Sequence, residues 1–416
     1  MTVWTPQWRV SLNGDVLTSA TLANLSITSG RTDMFAQPVA GYCHVELINL
    51  SNSVYNYSVG AQLSIEIKNS AGTYIPIFGG YLTDMVISVA ASGHIGYTTK
   101  ATITALGALS KLPKIIDEGV LNADYEGNQI YTLLQNYLLG QWNEVSASQT
   151  WATYDPSETW TNAVNIGLGE IDKPGKYEMI SRSASNTNLY SLVAQIAQSG
   201  FGYIYEDASG NIGYADTTHR QLYLANNGYV ELDANQALAG GIAASIRSAD
   251  IRNQLVLTYG NNANSHYTAD DTASQTAYGL ISQQATSNVK NSADAIALSD
   301  RYLSLRSTPQ PKFESITFQL ANPEIDNADR DALLNTFMGQ PIWIQNLPAN
   351  IASGSFQGFV EGWTFRASYN QLSVTLTASP LTASLSPVPW NEVVASERWN
   401  TLSSILTWEN AIGEVA

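Results

Sequence analysis

The stretch FGGYLTD at residues 78–84 returns in altered form as FQGFVEG at residues 356–362. Both are aromatic-x-Gly-aromatic runs inside segments where apolar and polar residues alternate, which is the pattern of a half-buried β-strand. Two distant strands of this kind indicate that part of the chain is duplicated.

The surroundings of the two strands are also similar. GAQLSIEI (60–67) precedes the first strand as GQPIWIQN (339–346) precedes the second, and after a variable turn KATITAL (100–106) resembles QLSVTLT (371–377). In each copy a strand begins after a glycine, a hairpin follows, the aromatic run crosses over and a closing strand ends the unit. The sequence therefore predicts two copies of one β-barrel.

The first copy is built from strands throughout. Period-two segments separated by turn residues such as Asn13-Gly14 and Ala71-Gly72 predict six of them. The segments are WRVSLNG, LANLSITSG, CHVELINL, QLSIEIKN, IPIFGGYLTDMVISVA and YTTKATITAL. Six strands in so short a span predict a compact barrel or sandwich.

Between the copies the period changes. Apolar residues at helical spacing predict one helix over 128–139, ended by Gly140, and another over 188–199, ended by Gly200. A hairpin with its loop at 207–211 follows directly, which predicts a small α+β domain. A short helical turn near 329–337 precedes the second copy of the repeat.

We therefore predict a mainly β protein with an α+β insertion, in which two β-barrels are related by internal duplication. Its predicted parts are a first barrel (1–112), an inserted α+β domain (113–241) with a Trp-rich segment (142–160), a second barrel (242–385) with a helical excursion (289–304), and a Trp-rich C-terminal tail (386–416). Three such chains would offer six similar barrels to a cylinder, so we expect a homotrimer with pseudo-sixfold symmetry.

A Trp-bracketed decapeptide occurs twice as well. WNEVSASQTW (142–151) and WNEVVASERW (390–399) agree at seven of ten positions, and another Trp follows each of them nine residues later. We predict that these residues anchor irregular segments against a neighbouring subunit, so that replacing Trp399 and Trp408 by Ala weakens oligomerisation. The alternative is a carbohydrate platform. The six residues concerned are Trp142, Trp151, Trp160, Trp390, Trp399 and Trp408.

Composition excludes several classes of function. A net charge of −16 with only 19 Lys and Arg argues against wrapping nucleic acid, which needs a basic surface, although DNA can pass by without binding. The single Cys43 predicts a buried thiol and no internal disulfide. Neither a signal peptide nor a membrane span is recognisable, and we expect synthesis in a cytoplasm.

The sequence predicts no catalytic centre, cofactor or metal. The four histidines, His44, His94, His219 and His266, lie far apart, and no HExxH, CxxC or GxSxG motif is present. Carboxylates beside the first Trp segment, from Glu118 to Glu170, could form a glycosidase pair, but we favour helix capping and solvation because no spacing fixes any two of them together. Asp326, Asp329 and Asp331 predict helix capping rather than calcium binding.

Two stretches carry a resemblance to a known family. SGRTDMFAQPVAGYCHVELIN (29–49) and VGAQLSIEIKNSAGTYIPIFGGYLTDMVIS (59–88) resemble tailed-bacteriophage minor tail and baseplate hub proteins, in which Gly-Arg, Pro-x-x-Gly, an Asn-ended strand and an F-x-G crossover recur. The later stretch RYLSLRSTPQPKFESITF, continuing to FQGFVEGWTF, resembles the second barrel of the same proteins.

The resemblance implies tail-tube-like barrels in a homotrimer that adapts the sixfold tail tube to a threefold tip at the distal end of a virion tail. The implied partners are the tail tube or distal tail protein, a tape measure protein, and tail-tip spike or fibre proteins, with genomic DNA only in passage. Predicted interface residues in the crossovers are Phe78, Tyr81, Phe356 and Phe359, and predicted channel-lining residues are Glu46, Glu66, Asp84 and Glu361.

Two other functions remain open from sequence. The Trp-rich segments favour a carbohydrate-binding or glycan-hydrolysing tail-tip protein if their rings are exposed. The equivalent hub of a contractile injection or secretion system shares the same architecture and cannot be separated by sequence.

Overall fold

Twenty-two β-strands and six α-helices make up most of the chain that the computed structural model describes. The described residues are 4–385 without 33, 50–56, 94–95, 143–170, 239, 310–311, 352–353 and 369. Strands outnumber helices by far, which confirms the mainly β class that the sequence predicts.

The strands and helices are numbered in chain order. The strands are β1 (Trp8–Leu12), β2 (Asp15–Val16), β3 (Ala20–Gly30), β4 (Tyr42–Asn49), β5 (Gln62–Lys68), β6 (Tyr74–Gly93), β7 (Gly96–Gly107), β8 (Ile116–Asp117), β9 (Asp124–Tyr125), β10 (Glu178–Met179), β11 (Thr187–Asn188), β12 (Tyr203–Glu206), β13 (Ile212–Ala215), β14 (Val230–Asp233), β15 (Ala243–Ser245), β16 (Gln254–Tyr259), β17 (Ser265–Asp270), β18 (Ser282–Thr286), β19 (Lys312–Gln319), β20 (Pro341–Gln345), β21 (Phe356–Ser368) and β22 (Gln371–Pro380). The helices are α1 (Glu126–Trp142), α2 (Leu189–Ser199), α3 (His219–Asn227), α4 (Thr272–Tyr278), α5 (Ser292–Arg306) and α6 (Asn327–Leu334).

Thirteen strands form one large sheet that contains the same arrangement twice. The first barrel unit has the order β3-β4-β7-β6-β5-β1, and the second barrel unit has the order β15-β19-β22-β21-β20-β14. The two differ at the last strand, because β1 runs antiparallel to β5 whereas β14 runs parallel to β20. The duplication predicted from sequence is thus present as two six-stranded units.

The register of the strands repeats along with their order. Leu63 on β5 lies opposite Gly80 on β6, and Ile342 on β20 lies opposite Gly358 on β21. A one-residue irregularity follows in both crossing strands, at Thr83 in β6 and at the corresponding position in β21. FGGYLTD and FQGFVEG therefore occupy equivalent places in the two units.

The two crossing strands need glycine at the same position. A Cβ atom on Gly80 would lie 2.4 Å from the carbonyl oxygen of Leu106, and one on Gly358 would lie 2.1 Å from that of Ser379. In both cases the aromatic ring two residues earlier would be 2.7 Å away. The F-x-G pattern thus lets the crossing strand approach the closing strand and its own aromatic ring.

The closing strands β7 and β22 are equivalent in the structure, but in a different alignment from the one that their sequences suggest. Thr104 on β7 lies opposite Asp84, and Thr377 on β22 lies opposite Gly362. TITA (102–105) is therefore equivalent to TLTA (375–378), which is a shift of two residues from the sequence alignment. A slip of two keeps every side chain on the same face of the sheet, so alternation alone could not detect it.

One apolar core serves both barrel units. Alternate side chains of the strands are fully buried, for example Leu63 and Ile65 of the first unit and Phe318 and Phe365 of the second. Each buried side chain of this size contributes about 1.5–3 kcal/mol relative to an exposed one. The units are therefore fused through a continuous core.

A second core lies outside the barrel units. It combines α1, α2, the β12–β13 hairpin and the three-stranded sheet β17-β16-β18 with α5. Residues 254–306, which the sequence places in the second barrel, thus pack with the inserted domain, while β14, which the sequence places in the insertion, belongs to the second barrel unit. The observed division of the chain differs from the predicted boundary at 241 in both respects.

Four of the six helices, α1, α2, α5 and α6, match predicted helical segments, whereas no prediction covers α3 or α4. The apolar positions of α2 are buried and Gly200 caps its C-terminus, as predicted. α1 begins near its predicted start but continues past Gly140 to Trp142. Asp326 caps α6 by accepting a hydrogen bond of 2.9 Å from the backbone N–H of Asp329, which confirms the predicted capping role.

Candidate assembly site

The two barrel units are joined by a direct strand pair. β21 of the second unit runs antiparallel to β3 of the first, from Gly362 opposite Gly30 to Ser368 opposite Asn24. The hydroxyls of Thr364 and Thr28 face each other across this pair at 3.3 Å. Strand pairing therefore continues without interruption from one unit into the next.

A buried charge network closes one end of this joint. Glu361 is 1% exposed and accepts hydrogen bonds from Arg31 (Nε, 2.7 Å) and Arg220 (Nη1, 2.6 Å; Nη2, 2.9 Å), and from the hydroxyl of Ser379. Desolvation acts to raise the pKa of Glu361, but the charges of Arg220 and Arg31 outweigh it and hold the pKa at about 2. The carboxylate is ionised and fully partnered.

Gly30 allows the strands to meet at this point. Its φ is +84°, and a Cβ atom there would lie 2.3 Å from the carbonyl oxygen of Glu361. The backbone N–H of Arg31 donates to that same carbonyl at 2.8 Å. The Gly-Arg motif of the first unit thus docks on the aromatic crossover of the second.

The Pro-x-x-Gly motif attaches the second core to the first unit. Glu206 on β12 accepts hydrogen bonds from the backbone N–H groups of Gly41 and Leu109, and the hydroxyl of Tyr190 on α2 donates to the carbonyl of Pro38 at 2.6 Å. Burial raises the pKa of Glu206 to about 7. A side chain at Gly41 would collide with the Glu206 carboxylate.

One free edge lies on β6. Beyond Tyr81 this strand pairs only with β7 among the described strands. Val86 and Val89 on this edge are 54% and 60% exposed. An unpaired edge with apolar side chains is a ready template for another strand.

A second free edge of interest lies on β15. This strand pairs with β19 and has no second partner within the described part of the chain. Ile246, which follows it, is 67% exposed, and the exposed Arg247 pairs with Glu314 at the same edge. β15 holds the place in the second unit that β3 holds in the first.

Three of the predicted interface side chains are buried within the chain. Phe78 and Phe356 belong to the large core, and Phe359 packs with Leu224 and Leu381 in a small separate cluster. The prediction that these rings contact another protein is therefore wrong, because the aromatic runs are covered by other segments of the same molecule. Tyr81 is half-buried, and the Lys111 ammonium lies 3.4 Å from its ring centroid.

The predicted channel-lining acids lie in different surroundings. Glu361 is buried in the joint, so its prediction as a channel residue is wrong. Glu46 pairs with Lys100 at 3.0 Å, and Glu66 pairs with Arg9. Asp84 is exposed at the free edge of β6.

The predicted Trp anchors are not among the side chains that the structure describes. Trp151, Trp160, Trp390, Trp399 and Trp408 lie outside the described residues, as does the side chain of Trp142 at the end of α1. Their role in assembly stays a prediction.

Histidines and acids form no metal centre in the described residues. No group of three or more His, Cys, Asp and Glu side chains there is arranged to hold an ion. His219 is buried, and its Nδ1 lies 2.7 Å from Asp172 Oδ2. None of the helices in the described ranges is both long and apolar enough to cross a bilayer.

Arg220 is the member of the joint that sequence reasoning missed. It lies on α3, far from both repeats, and no periodic pattern marks it. Arg31 and Glu361, by contrast, both lie in stretches that the sequence singles out.

Comparison with solved structures reveals the same fold in two tail proteins, one of them from a prophage. A 43 kDa tail protein of prophage MuSo2 from Shewanella oneidensis superposes with a TM-score of 0.57 at 10% identity, over 91% of this chain and 99% of that one. A tail protein from Neisseria meningitidis MC58 gives 0.59 at 8% identity, over 92% and 99%. No protein-family model and no curated protein sequence matches the chain. The resemblance to tail proteins is thus confirmed at the level of the fold.

Proposed function

We propose that this chain is a structural protein of a phage tail that assembles as a homotrimeric ring at the distal end of the tail. Three chains would supply six barrel units, which match a sixfold tube on one side and a threefold tip on the other. The shared fold with two tail proteins and the internal duplication support this function.

The observation that carries the proposal is the joint between β21 and β3. β6 is equivalent to β21, and β15 is equivalent to β3, yet both β6 and β15 have a free edge. The same antiparallel pairing can therefore form between β6 of one copy and β15 of the next. Repeating it three times closes a ring with eight strands from each copy.

The internal joint also predicts the register of the proposed joint between copies. The ladder partners make Val86 equivalent to Thr364, and Ser245 equivalent to Thr28. Val86 should then lie opposite Ser245 of the neighbouring copy. Because the two threonine hydroxyls of the internal joint are 3.3 Å apart, the side chains of the new pair should also face each other.

The face of the ring strands opposite the core would line the channel. In the described strands this face is rich in hydroxyls, such as Ser26, Thr102 and Thr375, and the charge of Glu46 is balanced by Lys100. Glu66 lies on β5, which is not one of the eight ring strands. We therefore propose a hydroxyl-lined channel, through which DNA can pass because few charges hold its phosphates.

The remaining partners follow from this position. A tail tube or distal tail protein would stack on one rim, tip spike or fibre proteins would dock on the other, and the tape measure protein would end at the channel. The work is mechanical and needs no catalytic group or cofactor.

The test is a disulfide across the proposed seam. Val86→Cys with Ser245→Cys should oxidise between copies and give a covalent species of three chains of 45.0 kDa on a non-reducing gel. The native Cys43 is buried and does not compete. Ile87→Cys with Ser245→Cys is the matched control, since the adjacent side chain points to the other face of the strand.

Two outcomes contradict the proposal. One is a monomer at high concentration that forms no cross-link with either pair. The other is an open ladder of cross-linked species beyond three chains, which would mean that the seam does not close a ring.

A further inference from the structure

A cavity of about 380 Å³ lies beside the joint of the barrel units. Its walls come from the segment after β3, from α5, and from β16 and β18 of the second core. No step of the proposed assembly uses this cavity. Its volume is in the range that small-molecule sites occupy.

The lining is unusually basic for this chain. Arg31, Arg220, Arg252, Arg301 and Arg306 all contribute to the wall, although the sequence has only eleven arginines and a net charge of −16. Nearly half of the arginines thus converge on one small space. Such a concentration of guanidinium groups is typical of carboxylate and phosphate recognition.

Few carboxylates offset these charges. Arg31 and Arg220 share Glu361, and Asp216 is the acid on the cavity wall. Burial, followed by the charge of Asp172, raises the pKa of Asp216 to about 6. Its Oδ1 accepts hydrogen bonds from the N–H groups of Thr218 and His219 rather than from an arginine. The cavity therefore keeps an excess of positive charge.

Two arginines use only neutral acceptors within the described residues. Arg301 donates from Nη2 to the carbonyls of Thr217 (3.0 Å) and Ser384 (2.8 Å), while its Nε is buried without a hydrogen-bond partner. Arg252 donates to the side chain of Gln283 and to backbone carbonyls. Both side chains are partly buried, and no carboxylate accepts a hydrogen bond from either one among the described residues. A partly desolvated guanidinium that lacks a hydrogen-bonded anion is a favourable place for one to bind.

Flat rings form another part of the wall. Phe201 and Tyr302 lie with their centroids 5.5 Å apart, and the Arg306 guanidinium lies 3.3 Å from the centroid of Phe35. Both groups are on the cavity surface. Aromatic faces of this kind favour a planar apolar body.

We propose that this cavity binds a small molecule that carries an oxyanion, either carboxylate or phosphate, on a flat aromatic body. Arg301 and Arg252 hold the oxyanion, and the aromatic wall holds the ring. The site lies between the two cores, so a bound molecule also bridges the second core and the barrel units.

Isothermal titration of the full chain with four probes tests the proposal. Adenosine monophosphate and phthalate combine a ring with phosphate or carboxylate, inorganic phosphate has no ring, and adenosine has no charge. At least one of the two combined probes should bind, and more tightly than phosphate or adenosine. Failure of both to bind, or equal binding of adenosine, would overturn the proposal.

Variants locate the binding. Arg301→Gln should lower the affinity for the probe about tenfold or more, because a charge-assisted hydrogen bond is lost. Arg301→Lys keeps the positive charge but loses the paired N–H groups of the guanidinium. Its affinity for the probe should lie between those of the parent chain and of Arg301→Gln. Arg366→Gln makes the same change at an exposed strand position and should bind like the parent chain. Unaltered affinity in a folded Arg301→Gln variant, judged by circular dichroism, would overturn the assignment of the site.

Discussion

At the scale of single residues, Glu361 shows how a buried charge can hold two units of one chain together. It is the common acceptor for Arg31, which directly follows β3, and for Arg220 on α3. The sequence marks Arg31 and Glu361 in two separate motifs. It does not show that they meet, since they are 330 positions apart.

The error on Glu361 has a local cause. Alternation predicts the facing of a side chain only while the ladder is regular, and the register between β21 and β22 shifts between Val360 and Gly362. Glu361 lies at that shift and turns inward. No period-two reading of FQGFVEG could have predicted this.

We expect Glu361→Gln to lower the free energy of unfolding by about 3–5 kcal/mol, because two buried guanidinium groups lose their counter-charge. Glu66→Gln, at a partly exposed pair with Arg9, should cost at most about 1 kcal/mol. Urea unfolding at pH 7 measures both. Equal costs for the two variants would contradict a special role for Glu361.

A second carboxylate should make stability fall as pH rises. Glu126 is fully buried, and desolvation raises its pKa to about 8, although the N–H groups of Lys176 and Tyr177 donate to it. Its stabilising contribution is complete below the unfolded pKa of about 4.3 and is lost as pH rises through about 8.

Glu126→Gln should remove this dependence. The stability of the variant relative to the parent should therefore rise between pH 5 and pH 8, as measured by urea unfolding at several pH values. Glu206, whose pKa is raised to about 7, acts in the same direction in both proteins and cancels in the difference. Parallel curves would contradict the raised pKa of Glu126.

At the scale of the elements, short sequence patterns predicted both the bounds of a helix and the equivalence of two distant strands. The helical spacing gave α2 to its capping glycine, and the F-x-G runs marked the equivalent strands β6 and β21. The predicted alignment of β22 with β7 was wrong by two residues. Alternation could not reveal the error, because a shift of two residues leaves each side chain on the same face of the sheet. The alignment is decided by long-range packing.

The paired glycines provide a test at this scale. Gly80→Ala and Gly358→Ala should each lower the free energy of unfolding by about 1–3 kcal/mol or more, because the added methyl group meets a strand carbonyl within 2.4 Å. Gln357→Ala, next to Gly358 on the same strand, should cost far less. Thermal unfolding compares the three variants, and a harmless substitution at either glycine would argue against equivalent packing.

The placement of residues 254–306 could not be predicted from local signals. Their strands and helices would have the same pattern of apolar residues whether they packed in the barrel unit or in the insertion. The choice is made by burial of Leu255, Leu257 and Leu298 against α2 and its neighbours in the second core. Sequence order therefore misled the division into domains, although the helix predicted at 289–304 is present as α5.

At the scale of the whole molecule, the equivalence of the two joints predicts a charge pair between copies. Counting from Val86 opposite Ser245, Asp84 should lie opposite Arg247 of the neighbouring chain. Both side chains are exposed in the single chain. Because the pair of Arg247 with Glu314 there is also exposed, changing Asp84 or Arg247 should affect the stability of the single chain by no more than about 1 kcal/mol.

Charge reversal should reveal this pair. Asp84→Arg or Arg247→Glu alone places like charges together and should weaken trimer formation about tenfold or more, whereas the double variant should regain most of it. Analytical ultracentrifugation over a range of concentrations measures the effect. Equal weakening by the double variant would contradict the register.

The charge network at the internal joint has a mechanical consequence for the proposed ring. At the corresponding seam between copies, Thr83 stands where the first joint has Glu361, and the ladder places Ser248 where it has Arg31. Hydroxyls there cannot form an ionic lock. If the proposed ring were pulled or twisted, it would part at its three seams and leave each polypeptide intact as a pair of barrel units.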